Sequence, residues 1–522
     1  MNKNLLLAVL SGVLFSVAWP TNGFPLFLFF SFVPLLLIEE DFYRNKHKKR
    51  FFLYVYLAFF IWNLSKTWWI LNSTIVGGVF AIVVNSLLMA FAFWLFHFVR
   101  KRLSIQMAFP FFVAIWISFE KFHLNWDFSW PWLNLGNGFS SVPSWVQWYE
   151  YTGYFGGALW ILIGNLIVYK GVSAFMINHH RNTFYKTLFN ISLWIVLPMI
   201  FSWWLGNNYE EKGKNASVLI LQPNLDPWEE KFHYTNSQLV DNLLALVKDS
   251  TDLIVAPETA ISQYVEIRNF NYTTSYKKML NFSKLHHTAI LTGVDFIHWY
   301  PKTGAQIPDT ANKTVSGRWF DMYNSAVMFD GERPLQIYHK SKLVVGAEYT
   351  PFKNVLVPLI GDWVTKTIGV SMGSNVSQKD RGVFVSGKMK VAPIICYESI
   401  YAQYVTDYVK NKANLLAVIT NDGWWGNTQG HKQHLSMARL RAIENRRDVV
   451  QSANTGISAH IDQKGNIIQS LAYNKRGRIL ADVRLNESKT FYTQQGDYIA
   501  RVAIFMAILL FLYSFAHKKI RL

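Results

Sequence analysis

A single cysteine, Cys396, occurs in the 522-residue chain, and it closes the apolar run of KVAPIICYESI. A helix is expected to begin at Ser399, so the thiol falls on a strand-to-helix turn. That is a nucleophile's position, because helix N-terminal amides stabilise a thiolate and can hold an oxyanion. A lone cysteine is more often a small buried hydrophobe, but the position and the neighbours argue for chemistry. Glu258 follows a second apolar run, DLIVAPE, where an α/β sheet presents groups to its ligand crevice. A carboxylate there gains proton affinity and can take the thiol proton, although many strand-end acids only cap a helix or pair with a surface base. Lys340 lies just past the run 335–338 in YHKSKLVVGAEYTPF, with Lys342, Glu348 and Pro351 close behind. A fixed ammonium would stabilise a tetrahedral oxyanion, whereas an ordinary lysine is simply exposed. One cysteine excludes an intrachain disulfide framework and Cys-based metal sites, and no metal or cofactor is expected.

Positioning three such groups needs a sheet. From 216 onward, short β-branched runs alternate with amphipathic helices: strands at 216–222, 252–257 and 289–294, with helices at 235–248 and 274–286. Further strands are expected near 323–329, 335–339, 382–386, 389–395, 414–420, 449–461 and 479–484, and helices near 399–411 and 431–446. Largely apolar strands with helices between them indicate an α/β domain whose sheet is covered. The stretches 297–322 and 360–381 fit no regular element and read as surface insertions.

The first two fifths of the chain are of another kind. Apolar runs near 4–20, 25–40, 51–71, 76–99, 104–120, 154–175 and 187–206, and a last one near 498–516, make eight candidate membrane helices. No small-residue cleavage site follows the first, which is read as a retained helix. Lys and Arg crowd into alternate loops: 44–50, 100–102, 170–186 and 518–521. By the positive-inside rule these face the cytoplasm with both termini, and residues 207–497 lie outside. The net charge of +18 is therefore not a nucleic-acid footprint, since the basic residues lie between hydrophobic runs. The segment 126–153, rich in Trp, is too broken by Pro and Gly to span and is placed along the outer interface, as an aromatic belt or a lateral path for lipid.

The order Glu258, Lys340, Cys396, each beside its own strand, with Tyr397 and Glu398 after the nucleophile, resembles the nitrilase superfamily. NDGWWG with QHLSMARLRAIE, and ANTGISAHID, add to that resemblance. With the helices on either side, and with LQPNLDPWEEKF, APET and ICYES, nearly the whole chain is similar to its membrane-embedded branch, the apolipoprotein N-acyltransferases. The resemblance implies a polytopic helical bundle at 1–206, a nitrilase-like αββα sandwich at 207–497, and a C-terminal transmembrane helix with a basic tail at 498–522. It also implies ping-pong acyl transfer in the inner membrane of a bacterium with two membranes. In that scheme Glu258 is the base, Cys396 carries an acyl chain from phospholipid as a thioester, and Lys340 stabilises the oxyanion. The acceptor is the α-amine of a diacylglyceryl-cysteine on an apolipoprotein. Glu348 and Glu398 match acids that hold the site together, Trp228 and Tyr397 match aromatics bordering it, and Pro351 matches a position beside it. Many members read K-x-H-L-V-P-F-G-E around the lysine; here Lys342 replaces the His, and Val345-Gly346-Ala347 precede Glu348. The protein is expected to work as a monomer, in contact with the bilayer and with no nucleic acid.

Two other readings share these features. A membrane-anchored amidase of the same superfamily would use water as its second nucleophile, yet a mere tether needs one helix. A transporter or lipid-binding receptor with a dead outer domain would carry more intramembrane charge than these runs, where Lys66 is the main exception.

Overall fold

The computed structural model describes residues 3–45, 49–178, 181–227, 229–301, 306–308, 311–314, 316–352 and 374–520. The chain divides into two compact units, Met1–Tyr209 with Gln494–Leu522, and Glu210–Thr493.

The longer helices of the first unit are α1 (Lys3–Ala18), α2 (Val33–Arg44), α3 (Phe51–Thr67), α4 (Ile75–Arg100), α5 (Ile105–Phe122), α6 (Tyr154–Asn178), α7 (Arg181–Asn208) and a C-terminal helix (Tyr498–Ile520). Among the described residues five are long and apolar enough to cross a membrane: α4, α5, α6, α7 and the C-terminal helix. The other three expected spans are α1, α2 and α3, of 16, 12 and 17 residues. Each is shorter than the roughly 20 residues a full crossing takes. The run near 25–40 is not one helix: a 3-10 segment, Pro25–Phe29, precedes α2.

Backbone that leaves a helix in apolar surroundings must find other partners. Asn165 of α6 supplies them, its carboxamide oxygen accepting from Phe32 N at 2.8 Å and its nitrogen donating to Leu28 O at 2.7 Å. A similar repair joins α6 to α7. Pro198 lies within α7 and has no N–H to give the carbonyl of Trp194, four residues back. The indole of Trp160 donates to that carbonyl at 2.8 Å, and the indole of Trp194 donates to Trp160 O at 3.0 Å. The segment 126–153 folds as short 3-10 turns and one helical turn, and its Trp132, Leu135, Phe139 and Tyr149 are buried within this unit. Tyr149 donates to Gly136 O at 2.8 Å.

The second unit holds two sheets. The strands of the first are β1 (Lys214–Gln222), β2 (Leu253–Val255), β3 (Ile261–Glu266), β4 (Ala289–Trp299), β5 (Asn312–Lys313), β6 (Trp319–Asp330), β7 (Arg333–His339) and, from the end of the unit, β14 (Gly477–Leu485). Its order is β14-β1-β2-β4-β6-β5, with β3 on β4 and β7 on β6. The second sheet, β13-β12-β11-β10-β9-β8, is built from β8 (Phe384–Ser386), β9 (Met389–Ile395), β10 (Leu415–Thr420), β11 (Val449–Ala453), β12 (Ser458–Ile461) and β13 (Ile467–Leu471). Helices α8 (Asn236–Leu244) and α9 (Thr274–His286) cover the first sheet, where Val240, Leu243 and Met279 pack with Leu219, Leu221, Ile254, Ile290 and Val327. Helices α10 (Ala402–Lys410) and α11 (Gln429–Asn445) accompany the second. The sheets are joined where the Ser452 hydroxyl donates to Leu221 O at 2.7 Å. Strands buried on both faces explain the continuous apolar runs.

The structure refines several expectations. The run 449–461 is two antiparallel strands, β11 and β12, broken by the residues around Gly456. β3 and β13 lie outside the expected strands; β13, with the sequence IIQSL, is exposed along most of its length and lacks the alternation of a half-buried strand. Part of 297–322 is regular, since β4 runs on to Trp299 and β5 pairs with the start of β6. Of 360–381, the part up to 373 lies outside the described residues.

Replacing Asn165 by Leu leaves the Phe32 N–H without its acceptor in apolar surroundings, at a cost of about 1–3 kcal/mol. The apparent melting midpoint of the detergent-solubilised protein is expected to fall, and an unchanged midpoint would refute this role for Asn165.

Candidate active site

The carboxyl ends of parallel strands converge on one place. β1, β2 and β4 run parallel in one sheet, and β9, β10 and β11 in the other. Glu258 lies just beyond β2, Cys396 directly after β9, Asn421 and Asp422 directly after β10, and Lys340 directly after β7. Crevices at carboxyl strand ends are where α/β sheets hold ligands.

Three of the expected residues meet in a buried ion cluster. Lys340, 1% exposed, donates to Glu258 Oε1 at 3.0 Å and to Glu348 Oε1 at 2.9 Å. Asn324 of β6 bridges the same two carboxylates, its Nδ2 lying 2.7 Å from Glu258 Oε1 and 2.9 Å from Glu348 Oε1. The other oxygen of each acid accepts from backbone: Glu258 Oε2 from Asn421 N at 3.1 Å and Glu348 Oε2 from Val344 N at 2.9 Å. Burial alone lowers the Lys340 pKa, but Glu258, Glu348 and the neighbouring Cys396 outweigh it and hold the ammonium charged well above its ordinary range.

Cys396 opens a 3-10 turn, Cys396–Ile400, with a φ of 48°. A non-glycine residue in the left-handed region costs about 1–2 kcal/mol, and here it turns the nucleophile sharply out of β9. The turn is pinned from below. The Cys396 carbonyl accepts from Ser399 Oγ at 2.9 Å and from His434 Nε2 at 3.0 Å. The other ring nitrogen, Nδ1, lies 3.1 Å from Asp422 Oδ1. Two acceptors call for two ring N–H groups, and although burial lowers the His434 pKa, Asp422 raises it further than burial depresses it. The thiol is pushed well above its ordinary range, first by burial and then by the Glu258 charge, against which Lys340 and the Thr420 hydroxyl act in the opposite sense. Burial and the Glu258 charge thus favour the protonated thiol over the thiolate.

Glu398 joins the Lys340 loop to the Cys396 turn. Its Oε1 accepts from Tyr338 OH at 2.8 Å, Tyr404 OH at 2.6 Å and Ser341 N at 2.6 Å, and its Oε2 accepts from Ile395 N at 2.9 Å. One carboxylate thus fixes the loop after Lys340 to the strand end before Cys396. Tyr397 is buried with its ring edge-on to Tyr401, 5.3 Å between centroids. Lys342, the substituted His of the pattern, places its ammonium 4.9 Å from the centroid of that same Tyr401 ring. Pro351 is half-buried where the described part of this loop ends, and Trp228 lies outside the described residues.

Asn324, Asp422, His434 and Thr420 were not singled out from the sequence. NDGWWG and the helix after it contain two of them, Asp422 and His434, but only the fold reveals that this pair supports the Cys396 turn. Among the described residues no cluster of His, Cys, Asp and Glu has the makings of a metal site.

Residues 218–493 match the family described as Carbon-nitrogen hydrolase, and the chain belongs to that family. Residues 11–167 match the Apolipoprotein N-acyltransferase N-terminal domain. Along nearly its full length the chain is similar to proteins named Apolipoprotein N-acyltransferase. It is 28% identical to one from Chlorobaculum tepidum, covering 99% of this chain and 98% of the relative. The corresponding figures for one from Geobacter metallireducens are 25%, 99% and 96%. Among solved structures, Saccharomyces cerevisiae Nit3, a member of the nitrilase superfamily, is similar at 15% identity and TM-score 0.37, over 55% of this chain and 95% of that one.

A thiol held protonated predicts a definite pH response. Alkylation of Cys396 by iodoacetamide is expected to climb about tenfold per pH unit from neutral into the alkaline range. A rate that levels off near neutrality would mean that the thiolate is preformed.

Proposed function

We propose that this protein is an acyltransferase that moves an acyl chain from phospholipid to the α-amine of the N-terminal diacylglyceryl-cysteine of apolipoproteins. The observation that carries the mechanism is the buried Glu258–Lys340–Glu348 cluster with the Cys396 thiol as its neighbour. The likeness of the whole chain to proteins named for acyl transfer to apolipoproteins favours an amine over water as the second nucleophile.

Glu258 takes the Cys396 proton as the sulfur attacks the phospholipid ester carbonyl. The negative charge that develops on the carbonyl oxygen is met by the Lys340 ammonium, which its two carboxylates hold in place before the reaction begins. Collapse breaks the ester C–O bond, Glu258 returns its proton to the leaving alkoxide, and a lysophospholipid departs from the thioester. The α-amine then attacks the thioester carbon, Glu258 accepts a proton from it, and collapse forms the amide and restores the thiol. Glu348 and Glu398 position the lysine loop and the nucleophile turn. Tyr397, Trp228 and Pro351 border the acyl site in this reading.

Both substrates reside in a bilayer, so the chain is read as a multi-pass protein of a bacterial inner membrane. In this arrangement eight segments cross it, the domain 207–497 works on the outer side, and both termini are cytoplasmic. The one-sided placement of Lys and Arg supports this orientation.

After incubation with phospholipid, intact-protein mass spectrometry is expected to show a hydroxylamine-labile acyl adduct. A diacylglyceryl-cysteine peptide should discharge it, and Cys396→Ala should lack it. Lys340→Met should slow adduct formation by about 10²–10³-fold. Discharge by water at the same rate with or without the peptide would favour the amidase, and transfer retained in Cys396→Ala would overturn the mechanism.

A further inference from the structure

A second buried lysine stands beside this set and takes no part in the steps above. Lys231, in the 3-10 turn Lys231–His233, is 3% exposed, and its ammonium donates to Thr259 Oγ1. Thr259 directly follows Glu258 and has a φ of 48°, a conformation that β-branched residues rarely adopt. Gly293 of β4 supports the same turn from the other side. Its N–H donates to Pro257 O at 3.0 Å, and a Cβ at Gly293 would lie 2.3 Å from Thr259 N. The turn that presents Glu258 is therefore strained, tightly packed, and tied by one lysine hydrogen bond.

Asp295, also on β4, faces the Lys231 ammonium. Burial pulls the lysine down to about 8 and pushes the Asp295 carboxyl up to about 8, and each charge works against the shift of the other. Lys231 also faces Glu258. Burying an ammonium here is costly, and the charge it places beside Glu258 is the effect that a neutral residue would not supply.

We propose that Lys231 is a positioning residue for Glu258: through the Thr259 hydroxyl it ties the strained turn that carries the carboxylate, and it sets a second positive charge next to it. This rests on Glu258 being the base of the proposed reaction. Glu258 otherwise faces Lys340 from the end of β7, Cys396 from the end of β9, Asp295 from β4 and His434 from α11. Glu348 lies across Asn324 and competes for the same lysine, and Tyr264 of β3 faces Asp295 and Glu348. His434 is engaged by Asp422. Without Lys231, Glu258 keeps only cations that it shares, Lys340 with Glu348 and His434 with Asp422. With Lys231 goes a positive charge beside the carboxylate, and the acidic limb of acylation is expected to move upward.

The test is single-turnover acylation of the full-length protein by phospholipid in mixed micelles, read by mass spectrometry as a function of pH. Lys231→Met is expected to raise the acidic limb by about one pH unit and to lower the plateau rate roughly tenfold, with the lipid KM unchanged. Lys231→Arg should return the limb to its wild-type position. A limb in Lys231→Met that coincides with wild type overturns the inference, provided that Glu258→Gln abolishes acylation. Acylation that persists in Glu258→Gln overturns the base reading instead. Should Lys231→Met fail to fold, Thr259→Val removes the acceptor and keeps the charge. A lowered plateau with an unmoved limb then supports the tie, and a wild-type plateau refutes it.

Discussion

An ammonium that is 1% exposed cannot remain charged unless its surroundings replace the water it has lost, and Lys340 has exchanged that water for two carboxylates. Those carboxylates bring demands of their own. Each has a second oxygen to satisfy, and the backbone N–H groups that satisfy it come from the end of β10 and from the loop after β7, while Asn324 of β6 donates to the first oxygens. A single buried cation therefore sets distances among elements of both sheets. The cluster also carries one more acid than lysine, so it lies against the thiol as an excess of negative charge. Burial first, and the Glu258 charge after it, push the Cys396 thiol well above its ordinary range.

Cys396 and Lys340 are not held independently. Glu398 accepts from Ser341 on one side and Ile395 on the other, so a displacement of the Lys340 loop is passed to the Cys396 turn through one side chain. Substitutions in the two loops are accordingly expected to have non-additive effects, as for residues that share a network. The His434–Asp422 pair holds the same turn from the helix side and makes the strained Cys396 backbone the best-supported conformation available to it.

How far the sequence reveals this depends on the range of each interaction. Glu258 and Cys396 are legible because each follows a short apolar run, and runs buried on both faces are plain in a sequence; Lys340 follows a half-exposed strand and stands out only through the order and context it shares with the other two. Asn324 is not: it is a polar residue within a strand, and its partner Glu258 is 66 positions away. Lys231 looks like any charged residue of a polar loop until the fold brings Thr259 and Asp295 to it. The same limit applies in the helical unit. Hydropathy marks 25–40 as apolar but cannot show the break within it, because that break is stabilised by Asn165, 133 residues from Phe32. The α9 boundaries are legible from its amphipathic pattern, whereas β13, IIQSL, is short, exposed and without the alternation that marks a half-buried strand.

The paired tryptophans of α6 and α7 set the register of those two helices. Each indole reaches the carbonyl of the other residue, so both bonds lie at one level and act as a pivot. Small rotations about that level preserve both bonds, whereas sliding one helix along the other by a single residue, about 1.5 Å, strains both at once. The proline that deprives Trp194 of its helical partner thereby makes the carbonyl available, and a local defect in one helix becomes the latch that stops the pair from slipping.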